Sequence, residues 1–186
     1  MKYTGIILAG GKSTRMLTDK GLVKIGNRPM VEYVINTLKP LCNQIIISSN
    51  NPNYQQFGYP VVRDEIPLIG PLGGIVSSLN HSKNDWNFVL SCDLPFLKAR
   101  WLTVLTEYIH SYQIIATQSP NKIHPLCSLF HVKTKDQIYN QIKKEDYKMT
   151  NLFKVCPTHL VHLSDYGYDE RMVSNINSQN DLYEAL

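Results

Sequence analysis

The chain has 186 residues, 43% of them hydrophobic and 18% charged, a balance that supports a packed core and rules out a disordered or collagen-like polypeptide. Its formal net charge of +4 is unevenly spread. Residues 1–28 carry Lys2, Lys12, Arg15, Lys20, Lys24 and Arg28 against Asp19 alone, and the rest of the chain is close to neutral. These charges interleave with glycines rather than aromatics, which favours a small phosphate-bearing ligand over a nucleic-acid track.

In chain order, Tyr3 to Leu8 reads as a buried strand followed by a glycine-rich loop. Pro29 sits where a helix would begin, ahead of Met30, Val31, Val34, Ile35 and Leu38 at helical spacing. Ile45 to Ser48 predicts a second strand, and Val61 with Val62 a third. Gly70-Pro71-Leu72-Gly73-Gly74 opens a helix carrying Ile75, Val76 and Leu79, and Asn87 to Ser91 predicts a fourth strand. Leu97, Trp101, Leu102, Leu105, Tyr108 and Ile109 line one helical face. Strands are expected at Ile114 to Thr117 and Leu126 to His131, and a helix at Lys135 to Lys143. A last strand is read at Leu160 to Leu163 and a closing helix at Asn180 to Leu186.

Alternating strands and helices with continuous apolar strands predict an α/β fold: a single Rossmann-like domain over residues 1–186, with a mostly parallel sheet and helices on both faces. The apolar run Ile6 to Ala9 is far short of the ~20 residues that span a bilayer, so a cytoplasmic protein with no membrane or nucleic-acid partner is expected. The four cysteines are widely spaced and form no C-x-x-C pair, which argues against a disulfide framework. Cys156, His159 and His162 offer only three zinc ligands, two of them on opposite faces of a strand.

In open α/β sheets ligands bind beyond the carboxyl ends of strands, which directs attention to residues 9–20, 64–65 and 92–96. Gly10-Gly11-Lys12-Ser13 is not a Walker A loop, because its lysine falls one place late. Glycines without a Cβ nonetheless let backbone N–H groups approach phosphate oxygens, and Arg15 and Lys20 add cations. Asp93 follows a strand and precedes Leu94-Pro95, so it offers one hard oxygen donor of the kind Mg²⁺ takes alongside phosphates and water. Asp64, after the third strand, is a candidate acceptor for a base or ribose, and Asn177 a neutral oxygen for metal or substrate.

The string Leu8-Ala9-Gly10-Gly11-Lys12-Ser13-Thr14-Arg15-Met16, followed by Asp19-Lys20-Gly21, resembles the signature loop of the molybdenum cofactor guanylyltransferase (MobA) family of nucleotidyltransferases. Gly70 to Gly74, Ser91-Cys92-Asp93-Leu94-Pro95-Phe96, His124-Pro125-Leu126 and Val173-Ser174-Asn175-Ile176-Asn177 are similar to further family segments, so the likeness spans most of the chain. One departure is Leu17-Thr18 where the family carries Gly and a slightly longer run before Asp-Lys. The resemblance implies transfer of GMP from GTP to molybdopterin-bound molybdenum, with pyrophosphate released and Mg²⁺ as cofactor. It implies catalytic roles for Arg15, Lys20 and Asp93, GTP binding by Leu8, Ala9, Gly10, Gly11, Lys20, Asp64 and Asp93, metal binding by Asp93, and room for a delivery partner in cofactor synthesis. A cytidylyl- or sugar-nucleotide transferase, or a nucleotide-binding regulator without turnover, stands as the alternative.

Overall fold

The computed structural model describes residues 1–10, 19–66, 69–176 and 181. Among them the elements run β1 (Tyr3–Leu8), β2 (Lys24–Ile25), β3 (Arg28–Pro29), α1 (Met30–Leu38), β4 (Cys42–Ser48), β5 (Val61–Val62), α2 (Pro71–His81), β6 (Trp86–Ser91), α3 (Ala99–Leu105), β7 (Ile114–Ser119), β8 (Lys122–His131), α4 (Thr134–Lys143), α5 (Met149–Val155) and β9 (Thr158–His162). Seven strands form one sheet in the order β5-β4-β1-β6-β8-β7-β9. β5, β4, β1 and β6 pair in parallel, as do β7 and β9. β8 alone runs against both of its neighbours. The two residues between β7 and β8, Pro120 and Asn121, leave room only for a tight hairpin, and a hairpin makes antiparallel partners.

The period of two along each strand builds two cores, one per face. Ile7 of β1 and Ala9 just after it, with Phe88 and Leu90 of β6, pack with Val31, Val34, Leu38, Trp101 and Leu102 under α1 and α3. Ile6 and Leu8, with Val89, face the other way onto Leu72, Ile75, Leu79, Ile138 and Leu152 of α2, α4 and α5. The mostly parallel, doubly covered sheet expected from the strand pattern is therefore present, with β8 as its reversed member.

Most elements begin or end within a few residues of their expected positions. Pro29 precedes α1 rather than starting it, because its extended backbone pairs with Lys24 in the β2–β3 ribbon. That ribbon and α5 carry no period long enough to read: two strands of two residues and one helix of seven. The closing helix expected at Asn180 to Leu186 lies outside the described residues except for Asp181. Among the described residues no helix is long and apolar enough to cross a membrane, and all four cysteines are free thiols. His159 of β9 lies between the rings of Tyr108 and Tyr112, at centroid distances of 4.3 and 4.9 Å.

Candidate active site

The chain winds outward from β1 through β4 to β5, then returns to β6 on the other side of β1. This reversal leaves a crevice at the carboxyl edge of the sheet, where open α/β sheets bind ligands. A cleft of about 580 Å³ occupies it, lined by Leu8 of β1 and Gly10 beyond it, Ser48 of β4 and Asn50 beyond it, and Asp64 beyond β5. Gly70, Pro71 and Gly74 of the α2 start, Ser91 of β6 and Leu126 of β8 complete the wall.

Small residues keep the cleft open where α2 approaches the sheet. A Cβ on Gly74 would come within 2.6 Å of Ser48 Oγ and 3.2 Å of Asp64 Oδ1, so no larger side chain fits without displacing the two polar groups that line the floor. Asp64 is held from both sides: its backbone N–H donates to Asn50 Oδ1 at 3.2 Å, and the Ser48 hydroxyl donates to its carboxylate. Burial nevertheless pushes the Asp64 carboxyl above its ordinary value.

Asp93 stands at the edge of this cleft, 4% exposed, in the loop that leaves β6. Its Oδ1 accepts from the Ser91 hydroxyl and, at 3.0 Å, from the Asn175 amide, while Lys20 Nζ approaches Oδ2 at 3.7 Å. The backbone N–H of Ile176 donates to the Asp93 carbonyl at 3.2 Å, which ties the C-terminal segment to the same loop. Mg²⁺ takes one or two protein carboxylates and completes its shell with phosphate oxygens and water, and the Asp93 carboxylate is a donor of that kind. Among the described residues no three His, Cys, Asp or Glu side chains gather into a cage.

Lys20 owes its place to a buried network. Asp19 caps the turn Lys20–Leu22, its Oδ1 accepting from Gly21 N–H at 3.3 Å and from the Tyr54 hydroxyl, and its Oδ2 from Asn51 Nδ2 at 3.1 Å. Tyr54 is fully buried, and burial pushes its phenol pKa far up, so it stays protonated as the donor. A Cβ on Gly21 would collide with the Tyr54 hydroxyl, so only glycine lets the turn sit this close.

The residues singled out in the sequence thus fall into two groups. Leu8, Gly10 and Asp64 line the cleft, and Lys20 meets Asp93 at its edge, with Ser91 joining the two groups. Ala9 is a step removed: its N–H donates to the Ser48 carbonyl at 2.9 Å and its carbonyl accepts from Ser49 Oγ at 2.9 Å, which locks β1 to β4 beneath the cleft. Gly11, Arg15 and Asn177 lie outside the described residues. Ser91 and Asn175 stand in the sequence only as members of family-like segments, and Ser48, Asn50 and Tyr54 belong to no motif. Ser48 ends β4 and Asn50 lies just beyond it, at the carboxyl end of a strand where ligands of open α/β sheets bind. Nothing in the sequence marks Tyr54.

A family model described as a MobA-like NTP transferase domain matches residues 5–162. A Flavobacterium johnsoniae protein named "Probable molybdenum cofactor guanylyltransferase" is 31% identical over 96% of this chain and 94% of its own. The Vibrio vulnificus molybdenum cofactor guanylyltransferase is 33% identical over 86% and 84%. Among solved structures, the molybdopterin-guanine dinucleotide biosynthesis protein A of Archaeoglobus fulgidus superposes with a TM-score of 0.81 at 18% identity, covering 98% of this chain and 96% of that one, a likeness of fold. With the model matching from β1 to β9, the chain belongs to the MobA-like NTP transferase family and is a nucleotidyltransferase.

Proposed function

We propose that the chain transfers GMP from GTP to molybdopterin-bound molybdenum, giving the guanine dinucleotide cofactor and pyrophosphate, with Mg²⁺ as cofactor. The observation that carries this reading is the meeting of Lys20 and Asp93 at 3.7 Å on the edge of the cleft. Both reactants are anions, so the obstacle to transfer is charge. An acceptor phosphate oxygen forms a bond to the α-phosphorus while the bond from that phosphorus to the β-phosphate oxygen breaks, and pyrophosphate leaves with the electron pair. Lys20, held by the Asp19–Tyr54 network, is the fixed cation for the triphosphate, and Arg15 is proposed as a second. Asp93 would hold Mg²⁺, which when bound supplies further neutralisation of the phosphates. Gly10 and Gly11 offer backbone N–H groups to phosphate oxygens without steric cost.

Guanine is favoured by the chemistry of the cleft floor as well as by the relatives. Guanine's pairing edge presents two adjacent N–H donors, and the Asp64 carboxylate is an acceptor-only group when ionised. The names of the relatives, molybdenum cofactor guanylyltransferases, support the acceptor. A pyrophosphate-release assay with each of the four nucleoside triphosphates, with and without molybdenum-loaded molybdopterin, tests the reading. Release is expected with GTP and only when the pterin is present. Equal or better release with CTP would reassign the enzyme to cytidylyl transfer, and no release with any nucleotide would leave a silent nucleotide binder.

A further inference from the structure

A second, smaller cleft of about 140 Å³ adjoins the first, sharing Ser91 and Leu126 with it. Leu94 and Cys127 wall it, and Lys122, His124 and Asn175 bring polar groups to it. We propose that this cleft seats the anionic end of the acceptor, a phosphomonoester, with Lys122 and His124 as its binding residues. The proposal rests on the nucleotidyl-transfer reading above.

Three observations carry it. The first is position. β1 and β8 flank β6 on opposite sides in the sheet. Asp93, leaving β6, therefore stands between Gly10 at the end of β1 and the Lys122–His124 stretch that begins β8. In-line transfer needs the incoming and leaving oxygens on opposite sides of the α-phosphorus. A nucleotide laid in the larger cleft on the β1 side leaves the β8 side for the acceptor. Asn175 lines the smaller cleft and donates to Asp93 Oδ1 at 3.0 Å, so the cleft opens beside the carboxylate.

The second is a built histidine. His124 is 6% exposed, and its Nε2 lies 3.1 Å from Ser119 Oγ. The Ser119 hydroxyl has one proton and donates it to Glu170 Oε1 at 2.8 Å, or to the Lys122 carbonyl at 3.3 Å. Both are acceptors, so Ser119 Oγ must accept from His124 Nε2–H. The ring is thereby fixed in one tautomer with Nδ1 as an acceptor, and no hydrogen bond among the described residues engages Nδ1. The charged groups that bear on the ring are Lys122 and Glu170; burial and Lys122 hold its pKa below the usual value, so it is neutral near pH 7. The exposed Lys122 ammonium meets the charged oxygens of a phosphomonoester, mostly dianionic near pH 7, and Nδ1 accepts from the P–O–H of the monoanionic remainder.

The third is size. At about 140 Å³ the cleft is roughly a quarter of the volume of its larger neighbour, a size that suits a phosphate group rather than a fused ring system. Only the end of the acceptor enters it.

The test is steady-state transfer of GMP from GTP to molybdenum-loaded molybdopterin, with KM measured for each substrate in wild type, Lys122→Ala, Lys122→Arg and His124→Asn. Lys122→Ala and His124→Asn are each expected to raise the molybdopterin KM about 10-fold or more while the GTP KM stays within about twofold, a split that a merely structural role would not give. Lys122→Arg should restore most of the loss. Lys122 is exposed, so its variants decide the matter even if His124→Asn folds poorly. An unchanged molybdopterin KM in Lys122→Ala, or a parallel rise for GTP, overturns the cleft assignment while transfer by the wild type keeps the parent reading intact. Failure of the wild type to transfer at all overturns both.

Discussion

The two halves of the sheet reach their shared edge by different means. On the β5-β4-β1 side, parallel strands each deliver a short loop, and the cleft is made of backbone, glycine and small hydroxyls: Gly10, Ser48, Gly70, Gly74. On the β8-β7 side a reversed strand and a hairpin deliver long side chains, with Ser119, Lys122, His124 and Glu170 linked to one another. The first construction fits a ligand whose phosphates are recognised by close backbone approach. The second fits a ligand recognised by placed side chains. Asp93 lies on the seam, reached by Lys20 from one side and Asn175 from the other.

Removing the seam should have the largest effect. Asp93→Asn can keep its contacts with Ser91 and Asn175 but loses the charge, and turnover is expected to fall about 10²–10³-fold with little change in melting temperature. Wild-type rate at sub-saturating Mg²⁺ would take Asp93 out of the metal role. Next comes the β1 side alone. Lys20→Ala is expected to weaken GTP about 10–100-fold and GMP by no more than about twofold, since the β- and γ-phosphates carry most of the charge. Calorimetric titration of both nucleotides checks this, and equal losses for the two would remove Lys20 from the triphosphate site.

The support beneath Lys20 gives a smaller, separable effect. Tyr54→Phe removes a buried donor to the Asp19 carboxylate and should cost about 1.5–3 kcal/mol in urea unfolding. It should also raise the GTP KM, by less than Lys20→Ala does, without changing the acceptor KM. The smallest effect concerns the cleft floor. Because burial raises the Asp64 pKa, its acceptor-only form is lost at a higher pH than an ordinary carboxylate's. GTP affinity should therefore decline as pH falls through that raised value, and Asp64→Asn should bind GTP weakly but with a flatter profile between pH 8 and 5. Matching pH profiles for the two proteins would remove Asp64 from nucleotide binding.

The same contrast explains how far the site was legible in the sequence. Strand β1 was read to the residue, because six apolar-rich positions end in a glycine loop. Asp93 and Lys20 were found because strand-end position and charge both have a chain-local signature. The Lys122–His124 cleft has little beyond the family-like His124-Pro125-Leu126 segment, to which no role attaches in the sequence. β8 begins four residues before the strand expected at Leu126, and the polar stretch 122–125 is strand only because the hairpin pairs it with β7. Tyr54, Ser119 and Glu170 look like ordinary surface polarity until tertiary packing brings them to Asp19 and His124.

On this reading the two constructions would hold a guanine nucleotide and a pterin acceptor on either side of Asp93. Incubation with molybdenum-loaded molybdopterin and GTP labelled at the α-phosphate tests it most directly. The label is expected to move into the pterin product, one pyrophosphate appearing for each label transferred, and CTP labelled in the same way to give far less. Label that stays with the free nucleotide, or moves as readily from CTP, would contradict it.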